Sequence, residues 1–210
     1  MLGKSYKDRV EGKLRVLLLY IFSFILGSVP FGYLIGKYIY NVDIRSRGSG
    51  NIGATNVLRI LGVIPGLTVF ATDILKGAIP VLIGRAMGLP RELFLLAGAL
   101  SILGHCFSPF LGFKGGKGVS STYGMMLAFD PVVAIISLLV EGGFIALWGY
   151  VSLGSMASVV FMVFLLLIRG HNLFSILIML LIAILVIVRH RDNIKRLLEG
   201  KENKFSFKSH

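Results

Sequence analysis

Three short stretches of this 210-residue chain gather the residue types that handle anions: glycines, hydroxyls, side-chain amides, basic side chains and a histidine. The first runs from Arg45 to Arg59. It holds Ser49, Asn51, Thr55 and Asn56 among Gly48, Gly50 and Gly53, with Arg45, Arg47 and Arg59 around them. The glycines match G-x-G-x-x-G literally, but that fingerprint signals a dinucleotide only after a β-strand, and none precedes it. Small residues, hydroxyls and amides at the entry of a helix suit an oxyanion or a phosphate. The same residue types cap helices, so at the level of residues both readings stand, with the three arginines favouring an anion.

The second stretch, Gly104 to Val119, sets Lys114 and Lys117 among Gly112, Gly115, Gly116 and Gly118. It is not a P-loop, because Leu111 stands where the first glycine is required and Gly118 follows Lys117 in place of Ser or Thr. Glycines let backbone amides approach an anion and the lysines supply charge, so a small phosphorylated substrate fits. The competing reading is a turn whose lysines snorkel to lipid headgroups. His105 is either catalytic or a packed interfacial histidine. In the third stretch, Arg189 to Glu202, His190 and Asn193 are three apart and share a helix face. Lys195, Lys204 and Lys208 read as a basic interfacial tail, and Asp192, Glu199 and Glu202 as local charge balance.

The elements that must hold these stretches are membrane helices. The chain is 55% hydrophobic and 15% charged, whereas about a quarter of the residues of a soluble domain are charged. Its mean hydropathy is +0.83. Unbroken apolar runs exclude a β-barrel, and the length leaves no room for a separate soluble domain. The single cysteine, Cys106, excludes an intrachain disulfide and a multi-cysteine metal site. The net charge of +12 comes from basic residues flanking apolar runs, which is topology information and not a nucleic-acid footprint.

Spans are expected from Val16 to Gly36, Ile60 to Ile83, Glu92 to Phe110, Pro131 to Tyr150, Ser152 to Ile168 and Leu173 to Val188. The first continues past any signal-peptide length and shows no cleavage pattern. Gly118 to Phe129 is the open case, and parity decides it. If it crosses, all three polar stretches share one side; if not, the third is stranded opposite. The expectation is therefore an all-α polytopic protein of about seven spans, residues 1–210 forming one domain, with the N-terminus outside and the C-terminus cytoplasmic. The shared side holds 13 of the 22 basic residues, including Lys37 and Arg191, as the positive-inside rule asks. Against it, the basic N-terminus with Lys4, Lys7, Arg9, Lys13 and Arg15 falls outside. Within the spans, Asp73 and Lys76 lie one turn apart and Glu141 stands alone, either as functional groups or as a local ion pair and a carboxylate facing a wet crevice.

Together the stretches Ser49 to Asn56, Phe113 to Val119, and Arg189 to Arg196 with Gly200 and Glu202 resemble the three signature motifs of the bacterial acyl-phosphate-dependent glycerol-3-phosphate acyltransferases, the PlsY family. The resemblance covers nearly the whole chain. Two departures touch loop geometry: Ser108 separates Phe107 from Pro109, where the family usually has the proline directly after the phenylalanine, and Ser120-Ser121-Thr122 replace the family's usual Ala-Thr. The resemblance implies a phospholipid-biosynthesis enzyme of the bacterial inner membrane, moving a fatty acyl group from acyl phosphate to the 1-hydroxyl of glycerol 3-phosphate. It gives lysophosphatidic acid and phosphate, and a soluble enzyme making acyl phosphate is the implied upstream partner. The H-x-x-x-x-D pattern of thioester-dependent acyltransferases is absent.

By this resemblance His190, Asn193, Ser49 and Arg59 form the catalytic group, with Asn51, Thr55, Asn56, Lys114, Gly115, Gly116, Lys117 and Gly118 binding substrate. Glycerol 3-phosphate would be held by the glycine amides and Lys117. Ser49, Thr55, Asn56 and Arg59 would hold the donor head. Two phosphates close together in a low-dielectric site repel strongly unless cations intervene. Acyl phosphate carries a good leaving group, so direct attack suffices; the proton goes either to His190 or to a donor phosphate oxygen. Ser49 as a nucleophile lacks a basic neighbour in sequence, and phosphate binding is favoured. Nothing in the chain requires a metal or another cofactor. The rival class, an anion transporter built from repeats with midplane charges, finds no repeat here.

Overall fold

The structure, a computed structural model, describes residues 6–205, with side chains from residue 10 onward. Lys4 and Lys208 lie outside the described residues, as do the side chains of Lys7 and Arg9. Every described regular element is helical: α1 (Tyr6–Ser28), α2 (Phe31–Leu34), α3 (Ala54–Leu61), α4 (Val63–Ala86), α5 (Arg91–Cys106), α6 (Val119–Phe129), α7 (Pro131–Trp148), α8 (Val151–Ile168), α9 (Leu173–Arg189) and α10 (Arg191–Leu198).

The first apolar run does not stay one helix. Pro30 has no N–H to continue the ladder and disfavours helical backbone before it; α1 stops at Ser28, and the chain resumes as α2 and a π-helical turn, Ile35–Ile39. The expected second span from Ile60 is also corrected. Ile60 and Leu61 end α3, and Gly62, at φ +93°, supplies the left-handed backbone that separates α3 from α4.

Helices pack where side chains are small. A Cβ on Gly77 would collide with the Ser121 carbonyl and one on Gly124 with the Ile74 carbonyl, so α4 and α6 meet backbone to backbone. Gly27 and Gly104 bring α1 and α5 together in the same way. Around these contacts lies the core of Val81, Leu95, Ile102, Met125, Met126, Met162, Leu166 and Met179.

By length and apolarity five helical segments can cross a membrane, or six if α9 and α10, bent by 57°, count as one. The seventh expected span is α6, whose 11 residues rise only about 16 Å at 1.5 Å each, roughly half a bilayer core. Its ends are nonetheless fixed at opposite ends of the bundle. Before it, Lys117 Nζ donates to Asn193 Oδ1 at 2.6 Å; after it, Asp130 accepts from Arg169 Nε at 2.7 Å and bonds His171 at 2.9 Å. Glu92 and Asn172 are joined at that second end too.

Candidate active site

Loop order comes first. Asn56 is buried, and its side chain holds the 44–51 turn: Oδ1 accepts from the Ser49 N–H at 2.9 Å, and Nδ2 donates to the carbonyls of Ile44, Arg47 and Asn51. Asn51 Oδ1 accepts from the Gly53 N–H at 2.8 Å. Beneath them Ile44, Ile52, Val57 and Val69 form a small core. Arg45 does not face the site, because its guanidinium pairs with Asp43 at 2.7 Å and lies over the Tyr33 ring.

The glycine-rich loop is laid along the end of α5. The N–H groups of Gly115 and Gly116 donate to the Cys106 and His105 carbonyls at 3.1 and 3.0 Å. Their own carbonyls accept from Arg189, at 2.6 Å for Gly115 and 3.0 Å for Gly116. A Cβ on Gly116 would strike the His105 ring. Gly118, at φ +87°, then turns the chain into α6, where a Cβ would press tightly on Ile102 and Cys106. The result is a rigid platform that aims Lys117.

The third stretch closes the site. α9 ends at Arg189 and the chain bends at His190, whose Nδ1 lies 2.7 Å from the Val186 carbonyl. A carbonyl only accepts, so Nδ1 carries the hydrogen and Nε2 keeps its lone pair. One helix face then presents His190 and Asn193, as their spacing predicts. Asn193 passes Lys117 on to Glu202: Nδ2 donates to Glu202 Oε1 at 2.6 Å, where Ser152 Oγ also donates at 2.9 Å, and Arg196 Nε donates to Oε2 at 2.7 Å.

These parts surround one cavity of about 400 Å³. Ser49, Asn51, Thr55, Asn56, Arg59, Lys117, Gly118, His190 and Asn193 all line it, so the three stretches converge. Lys114, Gly115 and Gly116 do not line it. Lys114 is exposed, and the two glycine amides are spent on α5, which corrects the expectation that they hold a phosphate. Free N–H groups come instead from two helix starts in the wall, Ala54 and Thr55 of α3 and Val119 and Ser120 of α6, whose first amides have no partners within their helices. Arg196, Ser152, Glu202 and Asn203 also line the cavity and were not legible as site residues. Glu202 is no mere charge balance, unlike Asp192 and Glu199, which pair with Arg191 and Lys201 near the surface. Part of the remaining wall is apolar, with Phe70, Leu138, Ile145 and Val151, and part is polar, with Asp73, His105, Tyr123, Glu141 and Ser155.

Electrostatics follow from burial. Loss of solvent pushes the Lys117 ammonium down to about 8, with the Glu202 carboxylate opposing. Burial, then the charge of Lys117, push His190 down to about 4, so its ring is neutral near pH 7. For Glu202 burial alone would raise the carboxyl, but the bonds from Asn193, Arg196 and Ser152 outweigh it and hold it below its ordinary value. Asp73 and Lys76 form the local pair their spacing suggests, 2.9 Å apart and buried. Glu141 faces the cavity and accepts from Ser155 at 2.6 Å. Among the described residues no three His, Cys, Asp or Glu stand close enough to share a metal.

A family model described as glycerol-3-phosphate acyltransferase matches residues 17–200. A glycerol-3-phosphate acyltransferase of Aquifex aeolicus is 44% identical over 91% of this chain and its own full length. A glycerol-3-phosphate acyltransferase 2 of Moorella thermoacetica is 44% identical over 92% of this chain and 99% of its own. Two crystal structures of PlsY, an integral membrane glycerol 3-phosphate acyltransferase, superpose closely. The glycerol 3-phosphate form gives a TM-score of 0.88 at 42% identity over 91% of this chain and 96% of that one. The lysophosphatidic acid form gives 0.85 at 41% identity over 92% and 96%.

Proposed function

Because the chain belongs to the glycerol-3-phosphate acyltransferase family, we propose that it moves a fatty acyl group from acyl phosphate to the 1-hydroxyl of glycerol 3-phosphate, giving lysophosphatidic acid and phosphate. One observation carries this reading: a single cavity joins Arg59, Lys117, Arg196 and two helix starts to an apolar wall. Such a cavity suits two phosphates and one acyl chain. Ser49, Thr55 and Arg59 hold the donor head, and Lys117, fixed by Asn193, holds the acceptor's phosphate. Asn51 and Asn56 act by shaping the first loop.

His190 offers Nε2 to the attacking hydroxyl and orients it toward the acyl carbon. With a pKa near 4 it is too weak a base to keep the proton, so the proton goes to the donor phosphate. The hydroxyl oxygen bonds to the acyl carbon, the bond from that carbon to the phosphate oxygen breaks, and phosphate departs with the electron pair and the proton. Arg59 and the helix-start amides stabilise the oxyanion formed on the way. Ser49, exposed at the cavity's edge, binds and forms no acyl intermediate.

The chain makes seven passes in this reading, with α6 as the short one, the N-terminus outside and the cavity at the cytoplasmic face of a bacterial inner membrane. Supporting this, α6 is tied to Asn193 at one end and to Arg169 and His171 at the other, as α9 must be. A soluble enzyme that makes acyl phosphate supplies the donor. The test is transfer of labelled glycerol 3-phosphate into lipid by purified protein, offered acyl phosphate, acyl-CoA or acyl carrier protein. Product from acyl phosphate alone, with one phosphate released per acyl group, is expected. Comparable product from a thioester donor, or none from any, overturns the reading.

A further inference from the structure

Beneath the cationic part of the cavity lies a polar pair for which the mechanism above has no use. Asp73 of α4 and His105 of α5 both line the cavity wall, and both are almost wholly buried. His105 Nδ1 has no hydrogen-bond partner. Asp73 Oδ1 stands 3.7 Å away, too far for a bond. Both atoms are nonetheless within reach of one oxygen placed about 2.8 Å from each. A buried polar atom without a partner is costly and marks a place where a ligand or a water completes the bond.

We propose that Asp73 and His105 bind the secondary hydroxyl of the acceptor, accepting its hydrogen at Asp73 and donating to its oxygen from His105. This rests on the acyltransferase reading and adds a specificity site to it. The chemistry excludes the other groups that the two substrates bring into the cavity. A phosphate is repelled by the carboxylate, and an acyl chain would leave both polar atoms unsatisfied. The reacting hydroxyl is already taken by His190, and Asp73, which shares its charge with Lys76 Nζ at 2.9 Å, is an acceptor for a hydroxyl that does not attack. Lys76 is itself braced by the Val29 carbonyl at 3.0 Å, and Ser101 donates to the Lys76 carbonyl. The hydroxyl held here therefore keeps its proton, and that is the hydroxyl at carbon 2.

The experiment compares glycerol 3-phosphate with 3-hydroxypropyl phosphate, which lacks only that hydroxyl, as acceptors for purified protein in lipid with acyl phosphate as donor. Wild-type protein is expected to favour glycerol 3-phosphate in kcat/KM by about tenfold to a hundredfold, since a site built around a hydroxyl rejects the analogue without it. In Asp73→Asn and His105→Gln the preference should collapse toward unity, with most of the loss on glycerol 3-phosphate. Equal use of both acceptors by wild-type protein overturns the proposal, and that comparison needs no variant to fold. Equal losses on both acceptors in the variants overturn it too, leaving a purely structural role. No transfer to either acceptor by wild-type protein instead overturns the acyltransferase reading, and this proposal with it.

Discussion

The two ends of the helix bundle both carry dense polar networks, yet they are built to opposite rules. At the end with the 130–131 and 169–172 turns, each group is used up by its neighbours. Asp130 caps α7 through the N–H groups of Val132 and Val133 and takes Arg169 and His171 on its other oxygen. Asn172 caps α9 through Ser175 and bonds Glu92. At the other end Arg59, Lys117 and Arg196 face one cavity, and Glu202 is the one carboxylate facing them whose charge is not already shared with Lys76 or set among apolar helices. A closed network welds helices together. A network with cations left over is half of a binding site, and the missing half is anionic.

This contrast breaks if charge at the open end proves dispensable. The largest effect is expected from Lys117→Ala, which should lower kcat/KM by about a thousandfold, since a preorganised cation in a water-poor site is lost, while the thermal midpoint in detergent stays near that of the wild type. His190→Ala should cost about a hundredfold in kcat, as expected for a group that orients the attacking hydroxyl, with little change in KM for the donor. Glu202→Gln should cost about tenfold, mostly in KM for glycerol 3-phosphate, because a charge-assisted hydrogen bond steadying Asn193 and Arg196 is weakened.

The smallest effect on activity belongs to the closed end. Asp130→Asn should leave the specific rate of folded protein within about twofold and remove about 1–2 kcal/mol of stability, the worth of a cap and a partly exposed ion pair. Burial would raise the Asp130 carboxyl, but the bonds from Arg169 and His171 outweigh it and hold it low. Its contribution is therefore complete above the ordinary aspartate pKa of about 3.9 and lost as pH falls through the lowered value. Thermal midpoints of wild type and variant should converge as pH falls below about 4. A constant gap would show that the carboxylate charge is irrelevant there.

How much of this was legible in the sequence depended on range. Convergence of the three stretches was readable because each carries local chemistry, glycines beside lysines or a histidine three residues from an asparagine, and one shared site then asks the 118–129 stretch to cross. The roles inside the stretches were not. Asn56 looks like a ligand in sequence, but its four hydrogen bonds to its own loop make it a brace. Gly115 and Gly116 look like an anion nest, but their amides are claimed by Cys106 and His105 at the end of α5. Glu202 gave no sign of reaching Ser152, fifty residues away, because the tail after Gly200 returns across α8 only in three dimensions. Breaks at Pro30 and Gly62 are written in the residues themselves, but hydropathy runs straight through them.

The pH dependence of kcat/KM for glycerol 3-phosphate, taken from pH 6 to 9.5 on purified protein in lipid and corrected for hydrolysis of the donor, tests the central claim most directly. Burial holds Lys117 at about 8, and the acceptor's phosphate needs its charge, so activity should fall above about pH 8 as the ammonium loses its proton. A profile level to pH 9.5 would contradict the account, because it would mean that the charge aimed into the cavity is not what binds the substrate.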